Sequence, residues 1–294
     1  MTKSMIYNSR LFPPEFGKWF DMCSRAGLDM SDEIRECMES FGELADAMLY
    51  LITLDGEAVG GTAVYRDRRR LGLALVSVIM SEEHRERLLR SMIKSSLPFF
   101  RTSSIRDVDA LVAADDQLRL PFPYDFVLPS WTREPLTSLG FVPTTHLLYS
   151  EFNSAFYTEG NISLHEVKDP EEVRAFLWAQ RGTTSVDASH VWLALDLAVS
   201  RTRAFSVKVE GTPKILICGD SISDTLVVRV LAWDQERIDA SDVAAAVVAL
   251  AQRDRYETVR VEVGPHGREV LDVLAVLTDS ADGPYQVDML RKTL

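Results

Sequence analysis

Three arginines follow the longest apolar strand pattern in the first half of the chain. The pattern covers Leu73–Met80, and Arg85, Arg87 and Arg90 come after it within ten residues. Guanidinium groups hold phosphates through charge-assisted hydrogen bonds, so this cluster is a candidate anion site. The alternative, which we favour, is the solvated start of a helix whose intervening leucines face the core.

Acidic and phenolic side chains near predicted strands are candidates for proton transfer. Asp109 lies in the short apolar pattern Val108–Ala113, and Tyr149 lies in a later strand pattern. A carboxylate at a strand end can act as a general base and a phenol as a general acid. Surface acids greatly outnumber catalytic ones, so Asp109 and Tyr149 are candidates only. Three further residues offer the same groups: Asp115, Asp116 and Tyr124.

The sequence lacks the motifs of several well-characterised binding and catalytic sites. The strings GxxxxGK[ST], GxGxxG, HExxH and GxSxG are absent, which argues against a P-loop, a dinucleotide fingerprint, a zinc protease helix and a nucleophile elbow. The five histidines and three cysteines are scattered without ligand spacing. We therefore predict no metal site.

Composition and charge indicate a globular protein that does not bind nucleic acid. Of 294 residues, 46% are hydrophobic and 26% charged, and the formal net charge is −12. This charge repels a polyanion but suits a basic small molecule such as an amine. The apolar runs are far shorter than the ~20 residues that cross a bilayer, and the N-terminus shows no secretory signal. With three spread cysteines, these features predict a cytoplasmic protein without a membrane partner.

Hydrophobic periodicity predicts alternating helices and strands in the first half. An Asp55-Gly56 turn joins two strands, and Gly140 ends a helix. The predicted elements are helix Pro13–Arg25, a helix from Ser31, strands Met48–Leu54, Ala58–Tyr65 and Leu73–Met80, a helix from Ser81, strand Val108–Ala113, helix Trp131–Leu139 and strand Leu147–Phe152.

The same order of elements recurs in the second half. Its clearest anchor is a second acidic-Gly turn, Glu210-Gly211. We predict two domains, residues 1–152 and 162–294, joined by the polar segment Asn153–Asn161. The elements are strand Ile162–Val167, helices Pro170–Gln180 and Ala188–Ser200, strands Phe205–Val209, Lys214–Cys218 and Leu226–Ala232, helix Ser241–Gln252, strand Val259–Val263, helix Arg268–Leu277 and strand Tyr285–Leu290.

This order resembles the GNAT superfamily of acyl-CoA-dependent N-acetyltransferases. The most specific stretch is Glu134–Glu151, EPLTSLGFVPTTHLLYSE, with its Leu139-Gly140-Phe141 corner. There, Gly ends the helix in a left-handed conformation and Phe docks the corner on the sheet. The resemblance covers about residues 45–152, and in the second half it rests on element order. It implies an α/β fold with a mixed (α+β) sheet, present as two GNAT-like domains in tandem.

The resemblance also implies acetyl-CoA or another acyl-CoA as cofactor and a small amine as acceptor. The family holds the CoA pyrophosphate at a Q/R-x-x-G-x-G/A loop after its fourth strand. In this sequence the implied contacts are Met80, Arg85, Arg87 and Arg90, but Leu88 and Arg90 stand at the two glycine positions. Their side chains fill the space in which backbone N–H groups would approach the phosphates. The loop is therefore degenerate.

The second half departs further from the family pattern. The matching segment is Gln235–Asp242, in which Ile238 replaces the central glycine. Asp239 and Asp242 stand where a phosphate would bind, and one of them is expected to cap the following helix. We predict that this second site is inactive.

The family's proton-transfer positions are also changed. Its frequent general acid, a Tyr four residues before the Gly-Phe pair, aligns with Leu136, and the Asn that opens the same helix aligns with Pro129. Three functions stay open: an acyl-CoA-dependent N-acyltransferase active in its first half, an inactive GNAT scaffold kept for ligand binding or assembly, and an acyltransferase that takes its acyl group from a charged tRNA. The acidic balance argues against the third.

Overall fold

We analysed a computed structural model of the chain. It describes residues 5–28, 30–101, 104–114, 126–153, 162–180, 184, 187–278 and 280–294, and for residues 86, 92 and 94–101 it describes the backbone only. The chain divides into two units. The first consists of Met1–Thr145 with Asp288–Leu294, and the second consists of His146–Val287.

The first unit is a mixed sheet with helices. Its elements are β1 (Ile6–Leu11), α1 (Phe16–Arg25), α2 (Asp32–Glu43), β2 (Ala47–Leu54), β3 (Glu57–Asp67), β4 (Gly72–Met80), α3 (Glu82–Arg101), β5 (Asp107–Ala113), β6 (Val127–Leu128), α4 (Arg133–Ser138) and the start of β7 (Val142–Asn153). Strands β1 to β4 are antiparallel neighbours, and β5 runs parallel to β4. The end of the last strand of the chain lies beside β5.

The second unit repeats this arrangement. Its elements are β8 (His165–Glu166), α5 (Glu171–Ala179), α6 (Ser189–Ser200), β9 (Ala204–Val209), β10 (Thr212–Ile222), β11 (Thr225–Trp233), α7 (Ala240–Asp254), β12 (Thr258–Val263), α8 (Arg268–Val276) and β13 (Ala281–Thr293). Strands β8 to β11 are antiparallel and β12 is parallel to β11. Next come the parts of β7 and β13 that belong to this unit.

Local sequence explains why both units form the same hairpins. Asp55 and Gly56 both have positive φ angles, 52° and 93°, and Glu210 and Gly211 have 53° and 79°. Two left-handed residues in a row make the tight turn whose twist matches that of paired strands. The predicted acidic-Gly anchor of the repeat is therefore confirmed.

A shared irregularity in the fourth strand of each unit reinforces the repeat. The register of β3 with β4 skips Val76, and the register of β10 with β11 skips Arg229, so each is an extra residue in its strand. An extra residue bends its strand and increases the local twist. In each unit the bent strand pairs with its parallel neighbour at one end only, and the two strands part beyond it.

The Leu-Gly-Phe corner forms as the sequence predicts. Gly140 has a φ of 88°, and the N–H of Phe141 donates to the carbonyl of Leu136 at 3.1 Å. This is the hydrogen bond of a glycine-terminated helix. The Phe141 ring is buried with Leu136 in the core of the first unit, among residues of β4, β5 and α3.

The unit boundary differs from the predicted one. The structure assigns His146 to Asn153 to the second unit and Asp288 to Leu294 to the first, whereas the sequence predicted domains of 1–152 and 162–294. The reason is that β7 and β13 are long neighbouring strands, each of which contributes one end to each unit. Of the predicted joint Asn153–Asn161, Asn153 is the last residue of β7 and residues 154–161 lie outside the described residues.

Candidate functional site

The candidate site of the first unit lies where β4 and β5 part. The two strands pair from Gly72 to Leu75 on one side and from Asp107 to Ala110 on the other. Beyond that point, β6 pairs with Leu111 and Val112 of β5. The short strand β6 therefore takes the place beside β5 that β4 leaves.

A cavity of about 120 Å³ lies beside the end of β4. Most of its described lining residues are apolar, and its polar side chains are Ser77, Arg85 and the indole of Trp131. The described residues that line it are Ala26, Leu28, Ser77, Val78, Ile79, Met80, Arg85, Val127, Leu128, Pro129 and Trp131. Two of the four predicted cofactor-binding residues, Met80 and Arg85, thus meet at one cavity.

Arg85 is held in place by an aromatic ring. The central carbon of its guanidinium lies 4.3 Å from the ring centroid of Trp131, within the range of a cation–π interaction. Its Nε atom is buried and has no hydrogen-bond partner among the described residues. A buried donor without a partner is costly in a folded protein, and an anionic oxygen at this position would satisfy it. No local sequence pattern indicates that Trp131 is its neighbour.

Arg87 and Arg90 do not join Arg85 at the cavity. The predicted loop is in fact the first turns of α3, which begins at Glu82, and both side chains are exposed. Successive residues of a helix are 100° apart, so Arg87 and Arg90 lie well over 90° around the helix axis from Arg85. The three arginines therefore do not share one face of α3, and a cofactor contact by Arg87 or Arg90 stays a prediction. The alternative of an ordinary helix start is confirmed, because Leu88 and Leu89 are buried in the core.

The N-terminus of α3 is acidic. Its first turn carries Glu82 and Glu83, both exposed. Ser81, the single residue between β4 and α3, places its hydroxyl 3.0 Å from Nδ1 of His84. Two carboxylates interact favourably with the positive end of a helix and repel a phosphate from it. A diphosphate at this position must therefore rely on Arg85 rather than on backbone N–H groups.

Asp109 is part of a structural ion-pair network. Its carboxylate is fully buried, and Arg291 donates to both of its oxygens, from Nε at 2.6 Å and from Nη2 at 3.2 Å. Nη1 of Arg70 lies 3.3 Å from Oδ2 of the same group. A base must offer a free oxygen to its substrate, and this carboxylate faces two guanidinium groups instead. Asp109 is therefore a poor candidate for a general base.

Tyr149 lies in the second unit, whereas the predicted catalytic position lies in the first. It is 2% exposed and belongs to the part of β7 that pairs with β12. Leu136, at the position of the family's general acid, is fully buried, and Pro129 lines the cavity. Among the described lining residues, none is a carboxylate, a histidine or a tyrosine. Asp115, Asp116 and Tyr124 lie outside the described residues.

The second unit closes its equivalent helix start with its own side chain. Oδ1 of Asp239 accepts a hydrogen bond from the N–H of Asp242 at 2.9 Å, which confirms the predicted cap. Nearby, Nζ of Lys214 lies 2.7 Å from Oδ2 of Asp234, and this hydrogen bond lowers the pKa of the Asp234 carboxyl. One N–H donor of this helix start and the nearby Lys214 are thus already paired with carboxylates of the chain.

Among the described residues, no helix is long and apolar enough to cross a membrane. Within the same residues, no group of three or more His, Cys, Asp or Glu is placed to hold a metal ion.

No protein-family model matches the chain, and no curated protein matches it in sequence. Solved structures do match. A tandem GNAT protein from the clavulanic acid biosynthesis pathway is 12% identical, with a TM-score of 0.67 over 98% of each chain. A GCN5-related N-acetyltransferase from Sphaerobacter thermophilus is 11% identical, with a TM-score of 0.59 over 98% of this chain and 95% of that one.

A putative acetyltransferase from Pyrococcus horikoshii is also 11% identical, with a TM-score of 0.64 over 98% of this chain and 89% of that one. At such low identities the likeness establishes the fold alone. It agrees with the strand order, the paired hairpins and the repeated bulges seen in each unit. The chain has the GNAT N-acetyltransferase fold, present twice in tandem.

Proposed function

We propose that the first unit binds an acyl-CoA at the cavity beside β4 and transfers its acyl group to a small amine. The observation that carries this proposal is Arg85. Its guanidinium is fixed against Trp131 at the edge of an apolar cavity, and its Nε has no partner among the described residues. Such a group suits a ligand with an anionic end and an apolar tip, as an acyl-CoA has.

The proposed acyl transfer requires little of the protein beyond placing the amine next to the thioester. The amine nitrogen attacks the thioester carbonyl, the C–N bond forms, the C–S bond breaks, and the CoA thiolate accepts the proton that the nitrogen loses. An enzyme that only aligns the two reactants removes a large part of the barrier. The net charge of −12 favours a cationic amine near the surface.

A second candidate function is ligand binding without catalysis. The observation that favours it is the position of the general acid, where Leu136 is fully buried in the core. Asp109, another proton-transfer candidate in this unit, is held by Arg70 and Arg291. In this reading the GNAT fold and its cavity are retained and the acyl group stays on CoA.

One pair of measurements separates the two functions. Acetyl-CoA at 100 times its dissociation constant is expected to stabilise the folded protein by about 2.7 kcal/mol, seen as a rise in melting temperature. Release of the CoA thiol is then followed with a panel of small amines. Stabilisation with thiol release supports the acyltransferase, stabilisation without release supports the binding protein, and no stabilisation contradicts both.

A further inference from the structure

Strand β1 lies at the edge of the sheet in the first unit. In the part of the chain that the structure describes, it pairs with β2 on one side and with no strand on the other. Proteins blunt such edges with very short strands, prolines, bulges or several charges, because an open edge can bond to a further strand. The edge strand of the second unit, β8, is only two residues long. In contrast, β1 has six residues, contains no proline and pairs with β2 without a bulge.

Exposed apolar side chains are concentrated along this edge. Among the described residues, seven large hydrophobic residues are exposed, and four of them fall within the eight residues from Met5 to Phe12. These four, which are 42–57% exposed, are Met5, Ile6, Tyr7 and Phe12. The strand carries one cation, Arg10, and no acid, in a chain whose net charge is −12. Two acidic copies of the chain therefore repel each other least along this strand.

The backbone of β1 determines which residues an added strand would meet. The N–H of Asp55, in β1's partner hairpin, donates to the carbonyl of Met5 at 3.1 Å. Because bonded residues alternate in an antiparallel pair, the odd-numbered residues of β1 direct their backbone groups to β2 and the even-numbered ones direct theirs to the outer edge. At Phe12, just after the strand, the N–H and the carbonyl are both bonded to Glu15. An added strand therefore bonds to the even-numbered residues that precede Phe12.

We propose that β1 of a second copy of the chain adds to this edge, antiparallel and about a two-fold axis that passes between the two Asn8 residues. Two-fold symmetry is the commonest arrangement of a homodimer, and across this axis even-numbered residues face even-numbered ones. The register places Ile6 of one copy opposite Arg10 of the other, and Met5 opposite Leu11. This pairing does not depend on the binding of an acyl-CoA.

The first test is the oligomeric state of the full-length protein, measured by sedimentation over a range of concentrations. One pair of strands buries a small interface, so we expect a dimer with a dissociation constant of roughly 1–100 µM. Ile6→Lys places a cation opposite Arg10, and Ile6→Glu places an anion there. Like charges opposite each other weaken strand pairing, and this contact occurs twice, so the Ile6→Glu dimer should be tighter than the Ile6→Lys dimer by about tenfold or more. Val276→Lys replaces another exposed hydrophobic residue, in α8 of the second unit, and should leave the dissociation constant unchanged.

The second test is disulfide cross-linking of Asn8→Cys under mild oxidation. Residues that form a hydrogen-bonded antiparallel pair have Cα atoms about 5.5 Å apart, which a disulfide can span. The three native cysteines are buried, so the introduced thiol is expected to form the cross-link. The matched control is Ser24→Cys, at an exposed serine of α1, which should not cross-link.

Three results would overturn the pairing of β1 strands. They are a wild-type protein that stays monomeric well above 100 µM (roughly the weakest constant expected), a dimer that Ile6→Lys and Ile6→Glu affect equally, and an Asn8→Cys variant that does not cross-link. None of these results bears on the proposed acyl-CoA binding, which is measured separately.

Discussion

Replacing Asp67 by asparagine is expected to stabilise the protein at neutral pH. Asp67 is fully buried at the end of β3, where Oδ1 accepts the N–H of Arg69 at 3.0 Å and Oδ2 has no hydrogen-bond partner. Burial raises the pKa of this carboxyl from 3.8 to about 6, although the nearby charges of Arg69 and Arg70 oppose the rise. The folded state therefore carries a poorly solvated negative charge at pH 7.

Linkage between proton binding and folding gives the direction and the size of the expected change in stability. Between about pH 4 and pH 6 the folded protein binds a proton at Asp67 that the unfolded chain has lost, so the contribution of this group to stability falls as the pH rises through that window. A pKa difference of about two corresponds to about 3 kcal/mol, which is an upper limit for the gain. Asparagine keeps the Oδ1 acceptor and carries no charge.

The assay is urea unfolding of wild type and Asp67→Asn at pH 7.5 and pH 4.5. We expect the variant to be more stable by about 1–3 kcal/mol at pH 7.5, and most of this difference to disappear at pH 4.5. Asp21→Asn, at an exposed aspartate of α1, is the control and should change stability by less than about 0.5 kcal/mol. A gain of equal size at both pH values, or a loss at pH 7.5, would refute the reasoning.

Three other variants or treatments test separate parts of the structure. Asp109→Asn should destabilise the protein by about 3–5 kcal/mol in urea unfolding, because Arg70 and Arg291 lose their buried partner; unchanged stability with lost activity would instead make it a base. Asp239→Ala should lower the free energy of unfolding by about 1 kcal/mol through loss of the α7 cap, and no loss would show that the cap is unimportant. The thiols of Cys23, Cys37 and Cys218 should react with a disulfide reagent only after unfolding, since all three are buried. Burial also raises the pKa of Cys23 to about 12. Fast reaction of the native protein would contradict this expectation.

Features set by short-range chemistry were predictable from the sequence. Each acidic-Gly turn depends only on the left-handed backbone conformation of its own two residues. The cap at Asp239 depends only on the three residues that follow it. The helix predicted from Ser31 is α2, and the Ser31 hydroxyl caps it by accepting the N–H of Ile34. The Leu139-Gly140-Phe141 corner is likewise a local motif.

Features that depend on distant pairing were not predictable. Strand β1 was missed because, of its six residues, only Leu11 is buried, so no alternating pattern marks it. The unit boundary was misplaced because β7 and β13 are far apart in sequence but lie side by side. At the site, the separation of Arg85 from Arg87 and Arg90 follows from the start of α3 at Glu82. The contact of Arg85 with Trp131 joins parts of the chain that are distant in sequence.

The central claim is that Arg85 anchors an acyl-CoA at the cavity of the first unit. The most direct measurement is calorimetric titration of acetyl-CoA into wild type, Arg85→Ala and Arg87→Ala, the last being an exposed arginine of the same helix. The account predicts that Arg85→Ala weakens binding by about tenfold or more, as expected for a charged contact of about 1.5–3 kcal/mol, and that Arg87→Ala changes it less than threefold. Equal affinities of wild type and Arg85→Ala would contradict it.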